Sequence, residues 1–314
     1  MKLTNLLLTD MKISIIGTNG MLSVALTKMF MQDGHTVHTF GLEEPFDYIC
    51  SAYHRCDLLK DELDYDTLTS SDIIFYASGA GVQAALNTPS SLMYMLNLYA
   101  PINITLKLKQ LGYKGKYISF GSYMEIGVND EEGRAFTEEE IICSSLPVTN
   151  DYALSKRLYG RYINDFVAEY SVWHFILPNM FSYEDKKPGT RLIPYVLQYL
   201  RDYKNGMNPK IPSFSPGTQT RQFIFLEDIK NVLDKAISLN IPTGIYNIGG
   251  GEFCSIRKTI ENLFEAYGVE CKEEYFGKET RRDGDIRSLL LDGDKLKKCI
   301  NYLPNTKMAE ILCN

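Results

Sequence analysis

The chain has 314 residues, 45% of them hydrophobic, and a formal net charge of −6. That length holds one large or two intimate domains with ample material for a core. The acidic balance excludes a basic field for nucleic acid, although a few arginines in a cleft suffice to hold phosphate locally. Seven cysteines (Cys50, Cys56, Cys143, Cys254, Cys271, Cys299 and Cys313) are scattered and odd in number, with no Cys-x-x-Cys pair, and the four histidines add no ligand spacing. Neither a zinc site nor a disulfide framework is indicated, and reduced thiols in the cytoplasm are the plain expectation.

In chain order, residues 1–10 read as an N-terminal extension, because the apolar run Leu6-Leu7-Leu8 is too short for a signal peptide and Asp10 follows it. No later apolar stretch approaches the roughly 20 residues that span a bilayer. Lys12–Ile16 is a β-branched strand ending at Gly17, Met21–Met31 a helix, and Thr36–Phe40 the next strand. Asp72–Ala77 is almost continuously apolar, as expected of a strand covered on both faces. Leu92–Leu111 reads as a helix, Lys116–Phe120 as a strand, Tyr152–Tyr170 as a long helix and Val172–Leu177 as a strand. This alternation predicts an α/β fold with a doubly wound parallel sheet. Proline and glycine punctuate 188–217, a strand–helix pair follows at Gln222–Ser238, and the last sixty or so residues read as a smaller mixed α/β cap.

Two local patterns carry chemistry. Gly17-Thr18-Asn19-Gly20-Met21-Leu22-Ser23 lies between a strand and a helix, a tight turn whose N–H groups face an anion at the positive helix end. The bland alternative is a Gly-rich turn that binds nothing; its place after the first strand is the context that the dinucleotide fingerprint requires. Tyr152 and Lys156 lie about one turn apart on one helix face. A neighbouring ammonium favours a phenolate, which makes a tyrosine usable for proton exchange with a hydroxyl. An exposed helical face gives the same spacing, so the pair by itself does not decide.

Further blocks resemble the extended short-chain dehydrogenase/reductase family, in its NAD-dependent epimerase/dehydratase branch that modifies nucleotide sugars. Arg55-Cys56-Asp57-Leu58 is similar to that family's Gly-Asp-Leu turn, Phe75-Tyr76-Ala77-Ser78-Gly79-Ala80 to its His-x-Ala-Ala strand end, and Asn97 to an asparagine of the next helix. Ser119-Phe120-Gly121-Ser122-Tyr123-Met124-Glu125-Ile126-Gly127 resembles Ser-Ser-x-x-Val-Tyr-Gly, and Pro147–Tyr152 the approach to the tyrosine. The interval between Ser122 and Tyr152 is longer than usual, which suggests a small insertion near Glu131–Cys143. Leu177-Pro178-Asn179-Met180-Phe181 resembles Arg-x-x-Asn-Val-Tyr-Gly, with Ile176 in place of the arginine. Arg221–Ile229, Gly244–Gly251 and Arg282-Asp283-Gly284-Asp285 follow the later blocks in order.

The resemblance implies a Rossmann domain over 11–178 plus 219–248 and a nucleotide-sugar domain over 179–218 plus 249–314. It implies Ser122, Tyr152 and Lys156 as catalytic residues. For the cofactor it implies Gly17, Asn19, Gly20, Met21, Leu22, Asp57, Leu58, Ala77, Ser78, Gly79 and Asn97, together with Tyr152 and Lys156. For the substrate it implies Met124, Asn179, Arg221 and Arg282, with no metal. A homodimer through a four-helix bundle of Leu92–Leu111 and Tyr152–Tyr170 is the implied assembly. Tyr123 and Met124 stand where dehydratases of the family carry Asp-Glu, so dehydration is not expected. A 4-keto reductase of a nucleotide-linked deoxysugar and a 4-epimerase with bound NAD both fit, the former favoured by the stretch around Ser122. A non-catalytic dinucleotide sensor is the reading from another class, and the retained Ser122, Tyr152 and Lys156 stand against it. At the end of the second strand Gly41 replaces the usual acidic residue, with Glu43 and Glu44 just beyond, which leaves NAD and NADP both open and NADP ahead for a net reductase.

Overall fold

A computed structural model describes residues 10–81, 87–189, 191–281 and 286–313. The chain divides into two compact units. Unit 1 comprises Met1–Gly121, Asn150–Phe175 and Asp234–Tyr246, and unit 2 comprises Ser122–Thr149, Ile176–Leu233 and Asn247–Asn314.

The first unit begins with β1 (Lys12–Ile16), α1 (Met21–Gln32), β2 (Thr36–Gly41), β3 (Ala52–Arg55), α2 (Tyr65–Thr69) and β4 (Ile73–Tyr76). α3 (Ser90–Tyr94) then runs through a π-helical turn, Met95–Tyr99, into α4 (Ala100–Gln110), and β5 (Lys116–Ser122) follows. After α5 (Glu138–Ile142) come α6 (Asp151–Asp165) and β6 (Ser171–Leu177). The expected parallel, doubly wound sheet is present: seven strands in the order β3-β2-β1-β4-β5-β6-β9, with β9 at Gly244–Asn247. β1 sits between β2 and β4, with Ile13 opposite Val37 on one side and Ile73 on the other. Ile13, Ile15, Ile16, Ile74, Phe75 and Ile118 are buried, which is why these strands read as largely apolar runs. Trp173 on β6 is fully buried and meets Phe175 edge-on.

Two elements differ from the sequence reading. The helix expected over Leu92–Leu111 is interrupted by the π-turn, and the one expected to reach Tyr170 ends at Asp165. Phe166 takes φ −76° and ψ 126°, and its ring lies against Tyr162 and Tyr170. Tyr170 is anchored instead by its hydroxyl to the Thr105 carbonyl at 2.8 Å. Aromatic packing outside the helix therefore replaces the last helical turn.

Unit 2 contains β7 (Asn179–Phe181), α7 (Leu192–Lys204), β8 (Thr220–Phe225), the start of α8 (Leu226–Leu239), β10 (Glu252–Ser255), α9 (Ile256–Ala266), β11 (Ser288–Leu289), α10 (Asp294–Ile300) and α11 (Met308–Leu312). β8 pairs with β7 and β11 in parallel and with β10 antiparallel. Its core is an aromatic and aliphatic cluster of Phe181, Val196, Leu200, Phe214, Phe223, Ile260 and Phe264. Among the described residues no helix is long and apolar enough to cross a membrane.

Candidate active site

The glycine turn of unit 1 is built so that only glycine fits. Gly17 has φ +130°, and a Cβ there would lie 2.7 Å from Ser23 Oγ and 3.0 Å from the Ala77 carbonyl carbon. Ser23, where the third glycine of the fingerprint would stand, is fully buried and donates to the Ala77 carbonyl at 3.4 Å. It thus ties the helix to the end of β4. Gly20 is the N-cap of α1 and supplies no side-chain cap, and Met21 and Leu22 form the first turn. An uncapped N-terminus at a parallel strand end suits an anion such as the pyrophosphate of a dinucleotide. Asn19 faces the loop after β2, donating to the Glu44 carbonyl at 3.0 Å and to Glu43 Oε2 at 3.4 Å.

Asp57 spends its carboxylate on its own turn. It accepts from the Leu59 N–H at 3.0 Å and pairs with Lys60 at 3.3 Å, contacts that hold it below the usual carboxylate range. Leu58 follows it in the same turn.

The end of β4 and the start of α6 are stitched by Asn97. Only 1% exposed, it receives the Ala80 N–H at 3.0 Å, donates to the Ala80 carbonyl at 2.9 Å and donates to Ser155 Oγ at 3.1 Å. Ser155 in turn bonds the Tyr152 carbonyl. Asn97 lies in the π-turn, where the extra residue per turn re-aims a side chain. A Cβ on Gly79 would come within 3.0 Å of Asn97 Oδ1 and 3.9 Å of Lys156 Nζ, so Ala77-Ser78-Gly79 runs directly beside the lysine.

α6 starts with Asn150 as N-cap, accepting the Ala153 N–H at 2.9 Å. Asp151 is held by the hydroxyls of Ser90 and Tyr94, which keep its carboxyl ionised below the ordinary range. The helix entry that carries Tyr152 is therefore fixed from α3. Lys156 is 9% exposed, and its ammonium donates to the Phe120 carbonyl of β5 at 2.9 Å. Beneath lies His174, fully buried and bonded through Nδ1 to Ser119 Oγ at 2.9 Å. Burial first, and the charge of Lys156 second, pull its pKa down to about 3.

Unit 2 begins at Ser122, which ends β5 and caps a 3₁₀ turn at Tyr123–Ile126. Ser122 N–H donates to Glu125 Oε1 at 2.6 Å, and Ser122 Oγ accepts the Met124 N–H at 3.3 Å. This is a reciprocal capping box. Because Oγ already accepts, its proton is the group left to offer a substrate oxygen. Glu125 is fully buried and was not among the expected site residues. Its signal was present, since Ser-x-x-Glu is the capping-box spacing. Met124 is half-buried on the same turn.

Asn179 opens β7, half-buried and in register with Phe223. Arg221 on β8 is 3% exposed, and its guanidinium donates to the carbonyls of Thr220 at 2.6 Å and Ile286 at 3.0 Å. It thereby ties β8 to the segment that enters β11. Arg281 donates to the same Ile286 carbonyl at 2.6 Å. Arg282 lies outside the described residues.

The model of the NAD dependent epimerase/dehydratase family matches residues 13–249. A UDP-glucuronate 4-epimerase of Thermodesulfobacterium geofontis (strain OPF15) is 25% identical over 254 residues, covering 78% of this chain and 71% of that protein. UDP-arabinose 4-epimerase 1 of Arabidopsis thaliana is 34% identical over 99 residues, 31% of this chain, and the match spans 23% of that relative's length. Among solved structures, MoeE5 in complex with UDP-glucuronic acid and NAD has the same fold, with a TM-score of 0.75, 20% identity and 96% of each chain covered. From the glycine turn to the strand after α8, the chain belongs to the NAD dependent epimerase/dehydratase family.

Proposed function

We propose that this protein interconverts hydroxyl and ketone at C4 of a nucleotide-diphosphate sugar, with 4-epimerisation as the net outcome. The observation that carries the reading is Lys156, buried and donating to the Phe120 carbonyl, one turn from Tyr152 on a helix entry fixed by Asp151. The relatives named above, both UDP-sugar 4-epimerases, favour epimerisation over the net reduction that the sequence around Ser122 suggests.

A bound nicotinamide dinucleotide would supply the acceptance and return of a hydride at the sugar carbon. Gly17, Gly20 and the first turn of α1 would hold its pyrophosphate, and Lys156 its nicotinamide ribose. Tyr152, favoured as phenolate by the ammonium of Lys156, takes the proton of the C4 hydroxyl and later returns it. Ser122 donates its remaining proton to the same oxygen. Asn179 and Arg221 are proposed to serve the diphosphate, together with Arg282. Beside Ser122, Tyr123 and Met124 carry no carboxylate for eliminating water, and Glu125 is buried with its carboxylate engaged by Ser122 N–H.

The test is NMR of the sugar after incubation with UDP-glucose, UDP-glucuronate or UDP-arabinose, alongside dinucleotide absorbance. The C4 epimer should accumulate without net change in the cofactor. Stoichiometric consumption of reduced cofactor by a 4-keto sugar would replace epimerisation with reduction. Tyr152→Phe should lower turnover by about 100- to 10,000-fold while dinucleotide still binds; unchanged turnover would remove Tyr152 from the mechanism. We further propose a homodimer through α3–α4 and α6, supported by the exposure of Met95, Tyr99 and Leu106 along one side. A monomeric mass by light scattering would sink that assembly.

A further inference from the structure

Glu125 is a buried acid with no part in the proton transfers at C4. It is fully buried, and its Oε1 takes the Ser122 N–H at 2.6 Å. Aligned on Gly127, the stretch that resembles Ser-Ser-x-x-Val-Tyr-Gly has Glu125 at the valine. An apolar side chain suits that place, whereas taking a carboxylate out of water is costly unless its partners repay it.

Capping does not require the burial. Thr137 and Glu140 close the same reciprocal box at the start of α5 with Glu140 exposed, its Oε2 taking the Thr137 N–H at 2.9 Å. Nor does the turn at Tyr123–Ile126 depend on Glu125 at its far end. There Ser144 Oγ donates to the Ile126 carbonyl at 2.8 Å, Asn129 Nδ2 to the Gly127 carbonyl at 3.1 Å, and the Val128 N–H to the Pro147 carbonyl at 2.7 Å. What Glu125 governs is the near end, Ser122 itself. The serine is held at its amide by Glu125 and at its oxygen by the Met124 N–H, at 3.3 Å. A hydroxyl whose oxygen already accepts is left to act as a donor. A ketone oxygen can only accept a hydrogen bond, whereas a hydroxyl donates and accepts.

We propose that Glu125 is the positioning residue of Ser122: it locks the serine as a donor to the C4 oxygen and so favours the ketone over the hydroxyl form of the bound sugar. This role rests on the C4 chemistry proposed above.

The test compares Glu125→Leu and Glu125→Gln with the unaltered protein in steady-state assays on UDP-glucose, UDP-glucuronate and UDP-arabinose. Leucine fills the space without an acceptor, and glutamine keeps one for the Ser122 N–H. In Glu125→Leu kcat should fall about tenfold or more with KM nearly unchanged, the signature of a misplaced group at the reacting atoms. Its melting temperature should hold or rise, because an apolar side chain replaces a buried acid. The share of bound cofactor found reduced during turnover, read by nicotinamide absorbance, should fall in step. Glu125→Gln should recover kcat to within a few-fold. Full kcat in Glu125→Leu would overturn the proposal, as would an unchanged share of reduced cofactor. Losses of kcat and melting temperature shared by both variants would overturn it too, by reducing Glu125 to a structural cap. No turnover of any of these sugars by the unaltered protein would overturn the C4 reading and this role with it, an outcome distinct from the other three.

Discussion

Two turns at the C-terminal ends of strands β1 and β5 solve the same backbone problem in opposite ways. After β1 the chain enters α1 through Gly20, with no side-chain cap. After β5 it enters a 3₁₀ turn through Ser122, where Glu125 and the serine hydroxyl close the cap from both directions. The first turn puts glycine backbone at the positive end of a helix, an arrangement that permits close approach by an anion. The second internalises its amides and displays one hydroxyl. The two turns are therefore told apart by whether side chains cap their amides.

Removing the display should have the largest effect. Ser122→Ala loses both the cap and the donor, so turnover should fall by about 100-fold or more, and stability by about 1 kcal/mol. Ser122→Thr should restore both. A change in melting temperature alone, with turnover intact, would reduce Ser122 to a cap. Next, Gly17→Ala should cost about 1–3 kcal/mol of stability, because φ +130° is strained for alanine and its methyl would meet Ser23 and Ala77. Dinucleotide affinity should fall with it, as read by thermal melts and calorimetry; full retention of both would show that the turn relaxes freely.

A third prediction concerns the floor beneath β5. His174 is neutral in the folded chain down to about pH 3, against an ordinary value of 6.5. Its folded pKa is lowered, so the unfolded chain takes up a proton that the folded chain refuses as pH drops below 6.5. Stability should fall on acidification from there by up to about 1.4 kcal/mol per pH unit. His174→Leu should flatten that slope in melts between neutral and mildly acidic pH; an unchanged slope would mean that other groups dominate it. The smallest effect tests the open turn itself. Gly20→Asp adds a capping carboxylate at a position with φ −71° and room for a Cβ, and should stabilise by a few tenths of a kcal/mol. The same change should weaken dinucleotide binding, since it fills and charges the anion site. Tighter binding would contradict the role given to the bare glycine.

What could be seen in advance follows the range of the interactions. Gly17, Gly20, Tyr152 and Lys156 are legible because their meaning lies in spacings of a few residues next to a strand or within a helix. The strands of the sheet are legible because burial on both faces leaves apolar runs. Arg221 was visible as a residue, but its partners Ile286 and Arg287 lie 65 and 66 residues away, and pairing across that distance leaves no periodic trace. The π-turn at Met95–Tyr99 was hidden because its apolar periodicity continues that of the flanking helices. β3 escaped notice because Ala52-Tyr53-His54-Arg55 is a half-exposed edge strand with little apolar content. Glu125 escaped although its spacing was readable, because the resemblance drew attention to the residues beside Ser122 and not to the cap that holds it.

Trp173 is the sole tryptophan of the sequence, and it sits in the seven-stranded sheet of unit 1 beside Phe175, with the Lys116 ammonium 5.9 Å from its ring centroid. The chain thus carries one indole emitter, and it belongs to one unit only. Denaturation followed by tryptophan emission tracks loss of the cofactor-side sheet, whereas backbone dichroism sums both units. A mismatch between the two curves would reveal whether the cap melts on its own, without any label being added.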